Sequence, residues 1–166
     1  MTLTSPRIGI VMGSKSDWQV MKGAKEILDG FALEAEVRVL SAHRTPEAAC
    51  AYARDAAGRG LAVLIAGAGG AAHLPGVLAA HTVLPVIGVP VPSGVLAGVD
   101  ALLAIVQMPR GIPVATVGIG RADNAGLLAV ALLALADRAL YERLEAYRRD
   151  LVAAAEAADR EIQGEL

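Results

Sequence analysis

The chain has 166 residues, of which 55% are hydrophobic, 19% charged and only 3% aromatic. This length suits one compact domain, and we expect a single domain over residues 1–166, with a core of about 7–140 and a C-terminal helical extension of about 141–166. The formal net charge of −2 at pH 7 presents no basic field to a nucleic-acid backbone or an anionic membrane surface, so neither partner is expected.

The hydrophobic share exceeds the roughly 45 to 50% of an average soluble domain. Two explanations compete: a membrane segment, or extra surface buried between subunits. Residues 60–99 contain no Asp, Glu, Lys or Arg, but glycines and prolines interrupt them throughout. Because no apolar stretch approaches the roughly 20 residues of a spanning helix, we expect a homo-oligomer and no membrane segment.

The cysteine content and the first residues bear on the compartment. Cys50 is the only cysteine, so the chain has no disulfide framework. Residues 1–7 are too short and too polar for a signal peptide. We therefore expect a cytoplasmic protein.

Short segments rich in β-branched residues alternate with helical patterns along the chain. The predicted buried strands are 7–12, 35–40, 61–66, 84–89 and 112–118. The clearest helical pattern places five apolar residues on one face: Val20, Ala24, Ile27, Leu28 and Phe31. This alternation predicts an α/β fold, a three-layer, flavodoxin-like, doubly wound parallel sheet of about five strands.

Two more helices are predicted at the end of the chain, over 124–144 and 145–162. The first is apolar almost all round, and such a helix requires burial on every side. We expect the C-terminal helices to pack on neighbouring subunits.

Ligands of an open parallel sheet bind beyond the carboxyl ends of its strands. Three predicted strands are followed there by loops of unusual composition: GSKSDW at 13–18, SAHRTP at 41–46 and GAGGAAHLPG at 67–76. These loops are expected to form the ligand site.

The first loop allows two interpretations. Ser16 and Gln19 have the spacing of a capping box with Ser16 as the N-cap. Alternatively, a helix N-terminus preceded by Gly13 binds a phosphate or sugar, to which Ser14 would contribute. We favour ligand recognition, with the Asp17 carboxylate facing neutral hydroxyls such as a ribose diol.

The second loop contains more polar groups than a helix start needs. Thr45 is predicted to cap a helix whose first residue is Pro46. The guanidinium of Arg44 suits a phosphate, and Ser41 adds a hydroxyl. His43 is either a structural imidazole or a proton-transfer group, and its place beside an anion-binding arginine favours proton transfer.

The third loop superficially matches a dinucleotide fingerprint through Gly67, Gly69 and Ala72. The acidic residue that this fingerprint requires about 20 positions later is missing, so we reject the match. A loop of small residues suits a wall or lid beside a flat ligand.

The remaining histidines do not indicate a metal site, because His73 and His81 lack nearby acidic or thiol ligands at metal-binding spacing. His81 is predicted to end a helix. His73 is either a pocket wall or a structural residue.

Four motifs together resemble the 5-(carboxyamino)imidazole ribonucleotide mutase family of purine biosynthesis, the class I aminoimidazole ribonucleotide carboxylases. They are GSKSDW, SAHRTP, AGAGGAAHLPG and AIVQMPRGIPV, within a likeness that extends from about Arg7 to Leu140. Pro92 departs from the family, where a polar residue is common. The resemblance implies a homo-octamer that uses no cofactor and no metal, and a ribonucleotide substrate.

The resemblance also implies roles for individual residues. Ser14 and Asp17 match substrate-binding residues, Arg44 matches the phosphate-binding arginine, Ser16 and Ser41 match nearby hydroxyls, and His43 matches the general acid/base. The implied reaction moves a carboxylate from the exocyclic nitrogen to ring carbon 4 through trapped carbon dioxide. Two alternatives stay open: a direct carboxylase of aminoimidazole ribonucleotide, and a flavodoxin-like module that only binds a nucleotide.

Overall fold

The carboxyl ends of five parallel strands meet along one edge of a single sheet in the computed structural model, which describes residues 8–165. The strands are β1 (Ile8–Met12), β2 (Ala35–Val39), β3 (Val63–Ala68), β4 (Val86–Pro90) and β5 (Ala115–Thr116). Their order is β2-β1-β3-β4-β5, and every neighbouring pair is parallel. This is the flavodoxin-like order, so the predicted fold is confirmed.

Helices cover both faces of the sheet. The helices described in residues 8–165 are α1 (Trp18–Gly30), α2 (Pro46–Asp55), α3 (Leu74–Ala79), α4 (Val99–Val106), α5 (Ala122–Ala134) and α6 (Arg138–Glu165), with a short 3-10 helix at Lys15–Asp17. Side chains alternate between the faces along a strand. Leu64 and Ala66 join the apolar cluster of α2, α3 and α4. Gly67 points the other way, where a Cβ would meet Met21 of α1.

Two strands differ from the sequence prediction, β2 in its burial and β5 in its length. β2 lies at the edge of the sheet, where the Val39 side chain is 54% exposed, so the prediction of a buried strand is wrong there. Glu36 and Arg38 alternate with the exposed valines, and charges on an edge strand discourage pairing with a further strand. β5 is two residues long instead of the predicted seven.

The helical end of the chain divides differently from the prediction. The break falls at 135–137 instead of after residue 144, because Asp137 caps the start of α6 by accepting the Leu140 N–H at 3.1 Å. Within the described part, residues 8–129 and 130–165 form separate compact units, and the single-domain assignment stays a prediction. None of the helices described in residues 8–165 combines the length and apolar character required to cross a membrane.

The structure describes β1 from Ile8 onward, whereas the predicted strand began at Arg7. Arg7 and the rest of residues 1–7, which carried the signal-peptide argument, lie outside the described residues.

The topology creates a crevice between β1 and β3. The chain leaves β1 for β2 on one side and later returns to β3 on the other, so the connections diverge at this point. Ligand sites of doubly wound folds form where the connections diverge.

Candidate active site

A cavity of about 380 Å³ lies beyond the carboxyl ends of the strands at this divergence. Its lining consists of Gly13, Ser14, Asp17, Ser41, Ala42, His43, Arg44, Ala68, Gly69, Ala71, Leu74 and Ser93. Every predicted site residue except Ser16 is in that lining. The structure therefore brings together residues from the three loops that the sequence had marked.

The first loop is shaped by Ser14, and the capping interpretation of this loop, with Ser16 as the N-cap, is wrong. Ser14 caps the 3-10 helix: its Oγ accepts the Ser16 N–H at 3.3 Å, while the Asp17 carboxylate accepts the Ser14 N–H at 2.9 Å. The Ser16 hydroxyl is exposed and lies 2.9 Å from Ser14 Oγ. Ser16 thus contacts a cavity residue without itself lining the cavity.

The Asp17 carboxylate is partly withdrawn from solvent. Burial raises the pKa of this carboxyl above its ordinary value, and the hydrogen bond from Ser14 together with the positive charge of Arg44 offsets only part of that effect. The half-buried carboxylate lines the cavity, and two oxygens give it more acceptor positions than the Ser14 N–H alone uses. It can accept hydrogen bonds from ligand hydroxyls.

The second loop gathers donors around one oxygen. Ser41 Oγ accepts hydrogen bonds from the backbone N–H groups of His43 and Arg44 at 3.3 and 3.1 Å, and lies 3.4 Å from Arg44 Nε. Both N–H groups are thus occupied by Ser41 Oγ, which keeps its own O–H as a donor. The loop can bind a phosphate through this O–H and through the guanidinium of Arg44.

Arg44 also connects two loops. Its Nη2 donates to the carbonyl of Gly13 at 2.9 Å, which holds the arginine across the mouth of β1. Arg44 is largely exposed, so its remaining N–H groups are open to a ligand. A planar guanidinium fixed at one edge presents its other edge in a defined direction.

His43 is paired with a second histidine that the sequence had left undecided. His43 Nε2 lies 2.8 Å from His73 Nδ1, and the two rings are perpendicular, with centroids 4.9 Å apart. One ring must donate and the other accept, so the pair shares a single proton along this contact. His73 thereby orients His43, which lines the cavity.

The wall opposite the polar loops is small and uncharged. Gly69 lies where an added Cβ would sit 2.9 Å from Ser93 Oγ and 3.1 Å from the Val91 carbonyl, so only glycine allows the third and fourth loops this close. Leu74 is buried behind it. The cavity is therefore polar on the side of the first two loops and apolar on the other.

Sequence reasoning missed Ser93 as a residue of this region, and it missed the contact of His73 with His43. Ser93 follows β4, and the rule that marked the first three loops would have marked it had it been applied to the fourth strand. His73 lies in the third marked loop, but its pairing with His43 had no local signal, because the contact joins residues 30 apart in the sequence. In residues 8–165 no group of three or more His, Cys, Asp or Glu side chains is arranged to hold a metal ion.

Comparisons with known proteins match this architecture. A family model described as AIR carboxylase matches residues 7–154. The N5-carboxyaminoimidazole ribonucleotide mutase of Mycobacterium tuberculosis is 61% identical over 158 residues, which cover 95% of this chain and 91% of the relative. The protein of that name from Pyrococcus abyssi is 58% identical over 146 residues, 88% of this chain and 84% of the relative. The crystal structure of Treponema denticola PurE superposes with a TM-score of 0.84 at 28% identity, covering 94% of this chain and 98% of that one.

Proposed function

The chain belongs to the AIR carboxylase family, and we propose that it is an enzyme of purine biosynthesis that converts N5-carboxyaminoimidazole ribonucleotide into 4-carboxy-5-aminoimidazole ribonucleotide. Relatives that are 54 to 61% identical over most of the chain carry the name of this mutase. The observation that carries the proposal is the cavity, in which a histidine pair adjoins a loop built to bind an anion.

The substrate is a flat ring on a ribose 5-phosphate, and the two polar loops offer groups for each part. Arg44 and Ser41 bind the phosphate, because both line the cavity and offer it a guanidinium and a hydroxyl donor. Asp17 and Ser14 bind the ribose hydroxyls: the carboxylate accepts their hydrogen bonds, and the Ser14 O–H donates one. Ser16 contributes its hydroxyl through Ser14.

His43 transfers a proton twice. In the first step it donates a proton to the exocyclic nitrogen, the bond between that nitrogen and the carboxylate carbon breaks, and its electron pair returns to nitrogen with release of carbon dioxide. In the second step ring carbon 4 attacks the carbon dioxide, and neutral His43 removes the proton from that carbon to restore the aromatic ring. The imidazole ends as it began, so no net acid or base is consumed.

His73 acts as a positioning residue for these transfers. Its ring holds His43 at 2.8 Å, which fixes the direction of the catalytic imidazole before the substrate arrives. A proton transfer through a positioned side chain contributes about 10² to 10⁴ in rate. His43 makes this contribution to the rate only when its ring is oriented toward the substrate.

Retention of carbon dioxide in the cavity accounts for the remaining rate enhancement. Escape of the gas would turn the second step into a bimolecular reaction and forfeit the advantage of proximity. The loop of residues 67–76 offers the carbon dioxide no charged side chain, and we assign it the role of a lid or wall. Small residues can approach the flat ring closely.

The active form is a homo-octamer in the cytoplasm. The loop and helix at 95–106 expose Val95, Leu96, Val99, Leu103 and Val106, and α6 exposes Leu151, Val152 and Ile162. Apolar patches of this kind mark interaction surfaces, and the C-terminal helices are assigned to contacts with neighbouring subunits. Light scattering on the purified protein tests the octamer, and a monomer mass would reject it.

The activity is tested by supplying each candidate substrate alone at low bicarbonate. The mutase turns over N5-carboxyaminoimidazole ribonucleotide without added carbon dioxide. Turnover of only aminoimidazole ribonucleotide plus carbon dioxide would identify a direct carboxylase instead. A yellow protein with neither activity would point to a flavin-binding module.

A further inference from the structure

Thr45 lies just outside the cavity and is exposed, yet its side chain is engaged twice with the loop that carries the proposed catalytic groups. Thr45 Oγ1 accepts the N–H of Ser41 at 2.9 Å and donates to the Ser41 carbonyl at 3.2 Å. The backbone N–H of Thr45 reaches the same carbonyl at 3.0 Å. One residue therefore satisfies both backbone polar groups of Ser41.

This engagement replaces the role that the sequence predicted. Thr45 is the N-cap residue of α2, but its hydroxyl makes no capping hydrogen bond to the helix, so that part of the prediction is wrong. The hydroxyl turns back toward the loop instead. A hydroxyl has one donor and two acceptor positions, so the two contacts with Ser41 are compatible with each other.

The closed turn fixes three groups at once. Ser41 begins the turn and Thr45 ends it, with His43 and Arg44 between them. Ser41 Oγ fills the centre by accepting the N–H groups of His43 and Arg44. A change at the base of the turn therefore moves the proton-transfer group and the phosphate-binding group together.

From these contacts we propose that Thr45 is a positioning residue, whose hydroxyl sets the geometry of the Ser41–Thr45 turn for binding and proton transfer. The proposal rests on the proposed function, since only there do Ser41, His43 and Arg44 act on a substrate. An exposed threonine without such a role would tolerate substitution with little effect.

The variant Thr45→Val tests the hydroxyl, because valine keeps the branched shape and removes only the polar group. A displacement of about 1 Å at a reacting group costs on the order of 10² in rate, so kcat/KM is expected to fall roughly 10- to 100-fold. The loss divides between a lower kcat and a higher KM, since the turn carries both functions. Thr45→Ser keeps the hydroxyl and restores both constants.

Thr82→Val is the matched control. Thr82 Oγ1 accepts the backbone N–H of Leu84 at 3.2 Å in a loop at the opposite end of the sheet, so this variant removes an equivalent hydroxyl from an equivalent bond. Its kinetic constants stay at the wild-type values. Hydrogen exchange at the Ser41 amide adds a readout that needs no turnover: protection persists in wild type and Thr45→Ser and is lost in Thr45→Val.

The results separate this inference from the proposed function through a titration with ribose 5-phosphate. If wild type turns over the carboxyamino substrate but Thr45→Val matches Thr82→Val in kcat and KM, the positioning role is overturned, whatever happens to amide protection. If wild type is inactive on the substrate and Thr45→Val still weakens ribose 5-phosphate binding relative to Thr45→Ser, the reaction is wrong and the positioning of the anion-binding groups stands. Equal ribose 5-phosphate binding by inactive wild type and Thr45→Val would overturn both.

Discussion

Cavities lie at both ends of the sheet, and the cavity proposed as the active site is smaller than the two at the other end. The cavity at the carboxyl ends measures about 380 Å³, whereas two hollows at the amino ends measure about 580 and 550 Å³. Each end also contributes one arginine and one histidine to a lining: Arg44 and His43 at the carboxyl end, Arg54 and His81 at the amino end. Volume and residue type alone therefore do not distinguish the ends.

What distinguishes them is how these side chains are held. His43 contacts His73 at 2.8 Å and Arg44 donates to the Gly13 carbonyl at 2.9 Å. For Arg54 and His81, residues 8–165 provide no side-chain hydrogen bond or ion pair, and their hollow is otherwise lined by Ala, Val, Thr and Ile. Polar groups held in place in this way are the reason that we propose the carboxyl end as the site of chemistry.

The largest effect is expected from His43→Asn. Loss of the imidazole removes the proton-transfer group, so kcat falls by about 10² to 10⁴. Binding of the product 4-carboxy-5-aminoimidazole ribonucleotide stays close to wild type, because the phosphate and ribose contacts remain. Turnover and product binding are measured on the same preparation, and wild-type turnover would remove His43 from the mechanism.

Arg44→Ala sharpens the comparison through binding. A hydrogen bond to a charged group contributes about 1.5 to 3 kcal/mol, which corresponds to a rise in KM of roughly 10- to 150-fold. The expected change in kcat is smaller, since the imidazole is retained. Calorimetric titration with ribose 5-phosphate checks the result, and unchanged affinity would reject Arg44 as the phosphate ligand.

Asp17→Asn separates binding from stability. An amide oxygen still accepts the Ser14 N–H but is a weaker acceptor for ribose hydroxyls, so substrate affinity falls by roughly fivefold, or about 1 kcal/mol.

The raised pKa of Asp17 means that the folded protein holds this proton more tightly than the unfolded chain does. Its favourable contribution is therefore present at acidic pH and lost as the pH rises through the folded pKa.

The difference in Tm between Asp17→Asn and wild type depends on pH, because only wild type loses this contribution as the pH rises. Asparagine stays neutral, so the Tm of Asp17→Asn minus that of wild type becomes more positive between acidic and neutral pH. Thermal unfolding of both proteins across that range checks the prediction. A difference that becomes more negative over the same range would show that the ionised carboxylate stabilises the fold.

The smallest effects are expected at the amino end. His81→Asn and Arg54→Ala repeat the first two substitutions in the larger hollow, and both should leave kcat and KM at wild-type values because neither side chain is held toward a ligand. Steady-state kinetics on the four variants compare the two ends directly. A loss at His81 similar to that at His43 would break the distinction between them.

The sheet and its site-facing loops were predictable because both follow from local patterns. Runs of β-branched residues gave five strands, and the rule that ligands bind beyond their carboxyl ends selected the loops that line the cavity. The exact caps were not predictable. Two overlapping capping patterns, from Ser14 to Asp17 and from Ser16 to Gln19, occur in the first loop, and only the 3-10 turn at Lys15–Asp17 decides between them.

Long-range contacts were the other feature that could not be predicted from the sequence. The pairing of His43 with His73 depends on the paths of two loops that meet in space, which no local pattern encodes. The exposure of β2 depends on its place at the edge of the sheet; Glu36 and Arg38 are a local sign of an edge strand, but the strand order decides which strand lies there. These features required the three-dimensional arrangement.

The central claim is that the carboxylate changes its point of attachment inside the cavity. Substrate carrying ¹³C in its N-carboxylate, incubated with the enzyme in excess unlabelled bicarbonate, tests this directly by mass spectrometry of the product. Retention of the label in the carboxylate on carbon 4 is the predicted result. Product that carries the unlabelled carbon of the bicarbonate pool would contradict it.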